Sequence, residues 1–340
     1  QYNSSKGKET LGVFLAPDGN NLDMITVLRE KTEKWAALVQ SGRLPPYVAW
    51  QALETTILKS ITYPLLALTL NKRDCQYIMA PALKAGLNAA KISSKFPRDV
   101  LFGDKLEGGL GLTDIYHEQG QAHIHIIQKH LDTSTLTGQL LRNTIEGLKL
   151  ETGIGDSIFN KNYNKYSNHV TDCWAKHLWK YVDENNITIQ DNVTENLHLQ
   201  RINDKYIMES IINREIFKTK ELQIINNCRI YLQVTSLADI VTGTGNIFTD
   251  TYKCQRDTQR HSDFTWPYQS RPGPRARRLW KRALCKCFLN EERRLSNPLG
   301  AWTRLPNSWQ WFYSHHTQCL YQRRRKSWRI WRRTRPVSYT

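Results

Sequence analysis

The run Leu11-Gly12-Val13-Phe14-Leu15-Ala16-Pro17-Asp18-Gly19-Asn20-Asn21 most narrows the folds open to this chain. Leu11, Val13, Phe14 and Leu15 are apolar and Pro-Asp-Gly closes the run, so it reads as a short β-strand ending in a turn. A strand must satisfy its backbone N–H and C=O groups through neighbours. No second clear strand follows for about eighty residues. Its partners are therefore expected before residue 1, and the rest of the chain is expected to be mainly α.

Helical periodicity supports that expectation. Residues 22–41 place Ile25, Leu28, Trp35 and Leu38 on one face, with charges around the other. Ser41-Gly42 ends this helix and Pro45-Pro46 opens the next, which buries Trp50, Leu53, Ile57, Leu58 and Ile61 and kinks at Pro64. A third helix, from about Lys72 to Ala90, carries Cys75, Ile78, Met79, Ala82 and Leu87 inward. Residues 96–103 read as extended, and Gly108-Gly109-Leu110-Gly111-Leu112 as a turn-rich link. Further helices are expected over 113–131, 138–150, 170–182, 199–219 and 221–235. From Gly243 onward the pattern dissolves into Gly, Pro, Arg and aromatic residues. The fold expected is mainly α with a short β segment at the N-terminus. Its parts are an initial segment 1–21, a helical subdomain 22–95, a helical connection 96–250, and a basic, Trp-rich region 251–340.

Charge is concentrated at one end. The whole chain carries a formal +17. Residues 271–340 hold 18 Lys or Arg against Glu291 and Glu292, a balance of +16, so the first 270 residues are nearly neutral. Cations and aromatics alternate there: Arg271, Arg275, Arg277, Arg278, Lys281 and Arg282 surround Trp280, and Arg323, Arg324, Arg325, Lys326 and Arg329 flank Trp328. Arginines neutralise phosphates and release counterions, and aromatic faces can stack on unpaired bases. The competing reading is a small aromatic core with a solvated basic rim. The grouping of Trp302, Trp309, Trp311 and Phe312 favours core for most of the aromatics.

Other motifs are weak. Cys285, Cys287, His315 and Cys319 are zinc-ligand types, but structural zinc sites space their cysteine pairs by about two to four residues. Buried reduced cysteines explain them as well. His123, His125 and His130 decorate a helix, and Gly243-Thr244-Gly245 is a turn rather than a phosphate loop. Tyr181-Val182-Asp183-Glu184 superficially matches a polymerase metal turn, yet Trp174, Leu178 and Tyr181 form one helix stripe that puts the acids at a helix end. The seven cysteines are scattered and odd in number, which fits a reduced, intracellular setting in nucleus or cytoplasm. No apolar run approaches the ~20 residues that would span a membrane.

Taken in order, several segments resemble the part of a eukaryotic retroelement reverse transcriptase that follows its catalytic palm. Lys8-Glu9-Thr10-Leu11-Gly12-Val13 with Ala16-Pro17-Asp18-Gly19-Asn20 resembles the last strand region of the palm, and Leu58-Lys59-Ser60-Ile61-Thr62-Tyr63-Pro64 a thumb helix. Phe96-Pro97-Arg98, Gly108-Gly109-Leu110-Gly111-Leu112 and Tyr116-x-Glu118-Gln119-Gly120 resemble the connection after the thumb. Ile225-Asn226-Asn227-Cys228-Arg229-x-Tyr231-Leu232, Trp266-Pro267, Arg271-Pro272 and Pro298-Leu299-Gly300-x-Trp302 resemble the C-terminal extension.

This resemblance implies an RNA-directed DNA polymerase fragment: palm end, thumb over 22–95, and a basic extension. It implies RNA and DNA as partners. By analogy the hairpin region sits beside the primer end, with Lys6 or Lys8 near the incoming nucleotide. The catalytic carboxylates and their Mg²⁺ belong to the missing palm, so no cofactor and no catalytic residue is expected in this chain. The alternatives are a stand-alone, non-enzymatic, basic nucleic-acid-binding protein, or a genomic remnant without function.

Overall fold

The computed structural model describes residues 4–189, 199, 201–249 and 266–303. The protein is mainly helical, with a two-stranded antiparallel sheet near the N-terminus. Strand β2 (Val13–Leu15) pairs with β1 (Lys8–Thr10) in the register Lys8↔Leu15, Glu9↔Phe14, Thr10↔Val13. The partner expected before residue 1 is therefore present in the chain. It escapes a hydropathy reading because Lys8, Glu9 and Thr10 are all polar and all exposed. Leu11 and Gly12 join the strands with φ of 51° and 78°. Both central positions of a tight two-residue hairpin need this left-handed backbone, which Gly12 adopts freely and Leu11 under strain. The Pro-Asp-Gly turn forms as expected, with Gly19 N–H donating to the Ala16 carbonyl at 2.9 Å.

The chain divides into two compact units, residues 1–141 with 172–185, and residues 142–171 with 186–340. The boundaries expected at 95/96 and 250/251 from the helical pattern fall inside these units.

In the first unit, α1 (Leu22–Gly42) packs along α4 (Lys72–Ala89). The inward stripe of α1 is Met24, Leu28, Thr32, Ala36 and Val39. It is rotated from the expected stripe, and Leu38 is left 70% exposed. The small residues Thr32 and Ala36 let α4 come close, and the Thr32 hydroxyl is satisfied by the Ile78 carbonyl at 2.9 Å and that of Arg29 at 2.8 Å. In α4 the inward residues include Cys75, Ile78, Met79, Ala82 and Leu87, as its periodicity indicates. Asn71 caps α4 by accepting from Arg73 N and Asp74 N, while Asp74 accepts from Asn71 N.

Between α1 and α4 the expected kinked helix is more broken than one proline requires. It comprises α2 (Pro46–Ala52), a π-helical stretch Leu53–Leu58, α3 (Lys59–Thr62) and a 3₁₀ turn Tyr63–Ala67 holding Pro64. The Thr56 hydroxyl donates back to the Ala52 carbonyl at the π stretch, where a side chain competes for the backbone ladder. Leu53, Ile57, Leu58 and Ile61 are buried.

Residues 96–103 are not extended: Arg98–Phe102 forms a helical turn, α5, started by Pro97 at its cap position. The glycine-rich link then folds back onto it, with Leu110, Gly111 and Leu112 N–H donating to the carbonyls of Val100, Gly103 and Leu101. A side chain at Gly109 would lie 2.1 Å from the Gly103 oxygen, so this approach requires glycine. The helices α6 (Ile115–His130) and α9 (Trp174–Glu184) complete this unit. The unit boundary falls inside α7 (Leu136–Thr152).

The second unit contains the end of α7, α8 (Tyr163–Tyr166), α10 (Ile207–Asn213), α11 (Thr219–Leu232) and α12 (Pro274–Phe288). Among the described residues of the expected helix 199–219, Ile207–Asn213 is helical and Thr219 begins α11. Arg201 instead bridges to Trp302, and Asn203 and Glu215 take left-handed backbone at φ of 65° and 56°. The dissolved pattern after Gly243 conceals α12.

Candidate nucleic-acid interface

Helix α12 is built mostly from cations and buried apolar residues. Pro272-Gly273-Pro274 starts it, with Pro274 in the first turn, where its missing N–H costs no helical bond. Trp280, Ala283, Leu284, Cys287 and Phe288 are buried at helical spacing, and this face packs on α11 and α10. The sequence pattern alone assigns no element to this stretch. Its signal was the spacing of those five residues, hidden by the Arg-rich composition around them.

The remaining surface of α12 is cationic. Arg275, Arg278, Lys281, Arg282 and Lys286 are exposed, Arg277 is half-buried, and no acid lies within the helix. Residues three or four apart on a helix are neighbours, so these side chains form a stripe along its length. Arg271 is exposed three residues ahead of the first turn. Arg282 pairs with Glu221 and lies over the Phe217 ring, 5.7 Å from its centroid. The Lys218 backbone N–H and this guanidinium hold the Glu221 carboxyl below its ordinary range. One sequence-named cation is thus partly spent on structure, and Lys286 joins the stripe although its sequence context did not single it out.

The other named residues lie elsewhere in the chain sequence. Lys6 and Lys8 belong to the first unit, both exposed, with Lys8 on β1. Arg323, Arg324, Arg325, Lys326 and Arg329 lie outside the described residues, as do the zinc candidates His315 and Cys319. Cys285 and Cys287 are two residues apart on α12, so their side chains diverge by roughly 200° around the helix. Cys287 is buried, and that burial raises its thiol pKa to about 11. These two cysteines cannot close on one ion, and among the described residues no cluster suited to a metal is found. No helix among the described residues is long and apolar enough to cross a membrane.

The motifs that carry the family resemblance have architectural roles in the structure. In Tyr116-x-Glu118-Gln119-Gly120 on α6, the Tyr116 hydroxyl donates to Glu184 Oε2 at 2.7 Å. The Gln119 amide accepts from Leu70 N and donates to Leu70 O, each at 3.0 Å, so it stands in for a paired strand. Gly120 leaves room for the Tyr181 ring of α9. That places Tyr181-Val182-Asp183-Glu184 at the end of α9, with Tyr181 and Val182 buried, as the stripe of that helix indicates. His123 does not decorate the surface. It is buried against the Trp174 ring, Nε2 meets the Leu65 carbonyl at 3.2 Å, and burial lowers its pKa to about 4.

Two buried arginines account for the later motifs. Arg229 of Ile225-Asn226-Asn227-Cys228-Arg229 is fully buried. Its Nη2 donates to the carbonyls of Leu150 at 2.6 Å and Glu151 at 3.0 Å, Nη1 to Val234 at 3.2 Å, and Nε to Asn226 Oδ1 at 2.8 Å. The guanidinium thereby caps the carbonyl end of α7, where the helix dipole favours positive charge. Burial lowers its pKa to about 9, so it remains charged at neutral pH. Arg201 does the same for Pro298-Leu299-Gly300-x-Trp302: its Nε and Nη groups donate to Gly300, Thr242, Gly243 and Leu299 carbonyls at 2.9–3.2 Å. The Trp302 ring lies 5.2 Å from its guanidinium carbon. Gly243-Thr244-Gly245 is a turn, with Gly245 at φ 81° donating to the Thr242 carbonyl at 2.9 Å.

Comparison with protein-family models, curated proteins and solved structures produced no match.

Proposed function

We propose that this chain binds nucleic acid by its phosphate backbone through the cationic face of α12, as the C-terminal part of a retroelement reverse transcriptase. The observation that carries the binding is that face: five exposed cations, of which Arg282 is paired with Glu221, and no acid within a helix whose opposite side is anchored in a core. A fixed row of cations neutralises phosphates without losing side-chain register, and its contribution is independent of base sequence. The polymerase assignment rests on the ordered resemblance described above, together with a hairpin followed by packed helices over residues 8–89.

In this reading the first unit steadies a primer–template duplex and the basic extension adds backbone affinity. Catalysis requires carboxylates and Mg²⁺ supplied by a palm. Incubation of the purified chain with a labelled primer–template, Mg²⁺ and nucleotides is expected to retard the duplex without extending the primer. Extension by this chain contradicts the missing-palm assignment, and failure to retard any nucleic acid contradicts the binding.

A further inference from the structure

We infer that the α12 face takes single-stranded nucleic acid, with Tyr268 stacking on an unpaired base beside the arginine stripe. This rests on the nucleic-acid reading above and specifies its substrate. The structure sorts the aromatic residues of this region into two roles. Trp280 and Phe288 are buried in the α12 core, Trp266 faces the Arg229 guanidinium, and Trp302 faces that of Arg201. Tyr268 differs: it is 90% exposed, more than any other aromatic side chain among the described residues. A large apolar ring held in water gains free energy by covering its face, and every base offers a planar partner.

The position of Tyr268 gives that contact a direction. It stands two residues after the anchored Trp266 and three before Arg271, so a guanidinium follows within about 10 Å of chain. Pro267 just before Tyr268, and Pro272 and Pro274 just after Arg271, fix their own φ angles at the two ends of this short segment. A base stacked on Tyr268 would place its own phosphate near Arg271 and the following ones along Arg275 and Arg278. A paired duplex keeps its bases stacked inside and offers this ring nothing, so the arrangement separates single from double strands. Base readout is not required, because stacking tolerates every base.

The test uses the whole chain and fluorescence anisotropy, with labelled oligo-dT of about 15 nucleotides and a mixed-sequence duplex of similar length. Tyr268→Ala is expected to weaken oligo-dT binding about tenfold while duplex affinity and the salt slope stay unchanged. Tyr268→Trp is expected to restore or exceed the original oligo-dT affinity. Because Tyr268 is exposed, the variants should melt at the temperature of the parent chain. Equal loss on both probes, or no loss on oligo-dT, overturns the stacking role while leaving backbone binding in place. Absence of binding by the parent chain to either probe overturns the nucleic-acid reading itself.

Discussion

Gly120→Ala isolates the contact on which α6 and α9 meet. An added Cβ would lie 2.2 Å from Tyr181 Cζ, 2.3 Å from Cε1 and 2.4 Å from Cε2. Carbon atoms in contact sit about 3.5–4.0 Å apart, so helix and ring must part by more than about 1 Å. Such overpacking costs about 1–3 kcal/mol. The edge-on contact of Tyr116 with Tyr181, with ring centroids 5.5 Å apart, is disturbed as well, at about 0.5–1.5 kcal/mol. Alanine returns about 1 kcal/mol through its helix propensity. The net expectation is a loss of about 2 kcal/mol in urea unfolding followed by circular dichroism. In a Tyr181→Leu background the ring atoms facing Gly120 are gone, and the same substitution should stabilise by up to about 1 kcal/mol. The sign of the Gly120→Ala effect therefore reverses between backgrounds. A neutral or stabilising Gly120→Ala in the parent chain refutes the packing argument, as does an equal cost in both backgrounds.

Two further outcomes follow from buried groups. His123 has an ordinary pKa of 6.5 and a folded value of about 4, so the unfolded chain binds the proton more readily. Its stabilising contribution is complete above pH 6.5 and falls away as pH drops toward about 4, by up to about 3 kcal/mol, with His177 shifted in the same direction by burial. Thermal melts should lose several degrees between those pH values, and His123→Gln should flatten that dependence; an unaltered slope counts against the buried neutral imidazole. Arg229→Lys keeps the charge but offers one ammonium where four acceptors are now served, leaving the Leu150 and Val234 carbonyls short of partners at about 1–3 kcal/mol each. The melting temperature should fall by several degrees, and an unchanged value would show that the guanidinium does not hold the α7 end.

How much of this was legible in sequence differs by element. The α4 core was readable because Cys75, Ile78, Met79, Ala82 and Leu87 repeat at helical spacing with charges between them. The α1 face was misplaced by hydropathy alone: Thr32 is polar yet buried, satisfied by a carbonyl of another helix that no local pattern announces. Strand β1 was invisible because its three residues are polar and exposed, and its pairing comes from the turn that follows it. Helix α12 was hidden by its own basic residues, since cations outnumber the five apolar residues that seat it. The cationic character of the candidate site was plain in composition, whereas its arrangement along one helix face was not. Arg229 falls within a family-like segment and Arg201 within no motif, and only tertiary structure shows both bound to carbonyls distant in sequence.

Backbone binding through α12 is tested most directly by the salt dependence of affinity for duplex DNA. Plotting log affinity against log salt for the parent chain and for Arg275→Gln/Arg278→Gln compares the number of phosphates each neutralises. Both side chains are exposed on the stripe, so the substitution should leave the thermal melt in place. The slope is expected to become shallower by about 0.9 for each cation removed that had contacted a phosphate, with affinity lowered alike across DNA sequences. An affinity indifferent to salt, or a slope that both substitutions leave unchanged, would contradict the account.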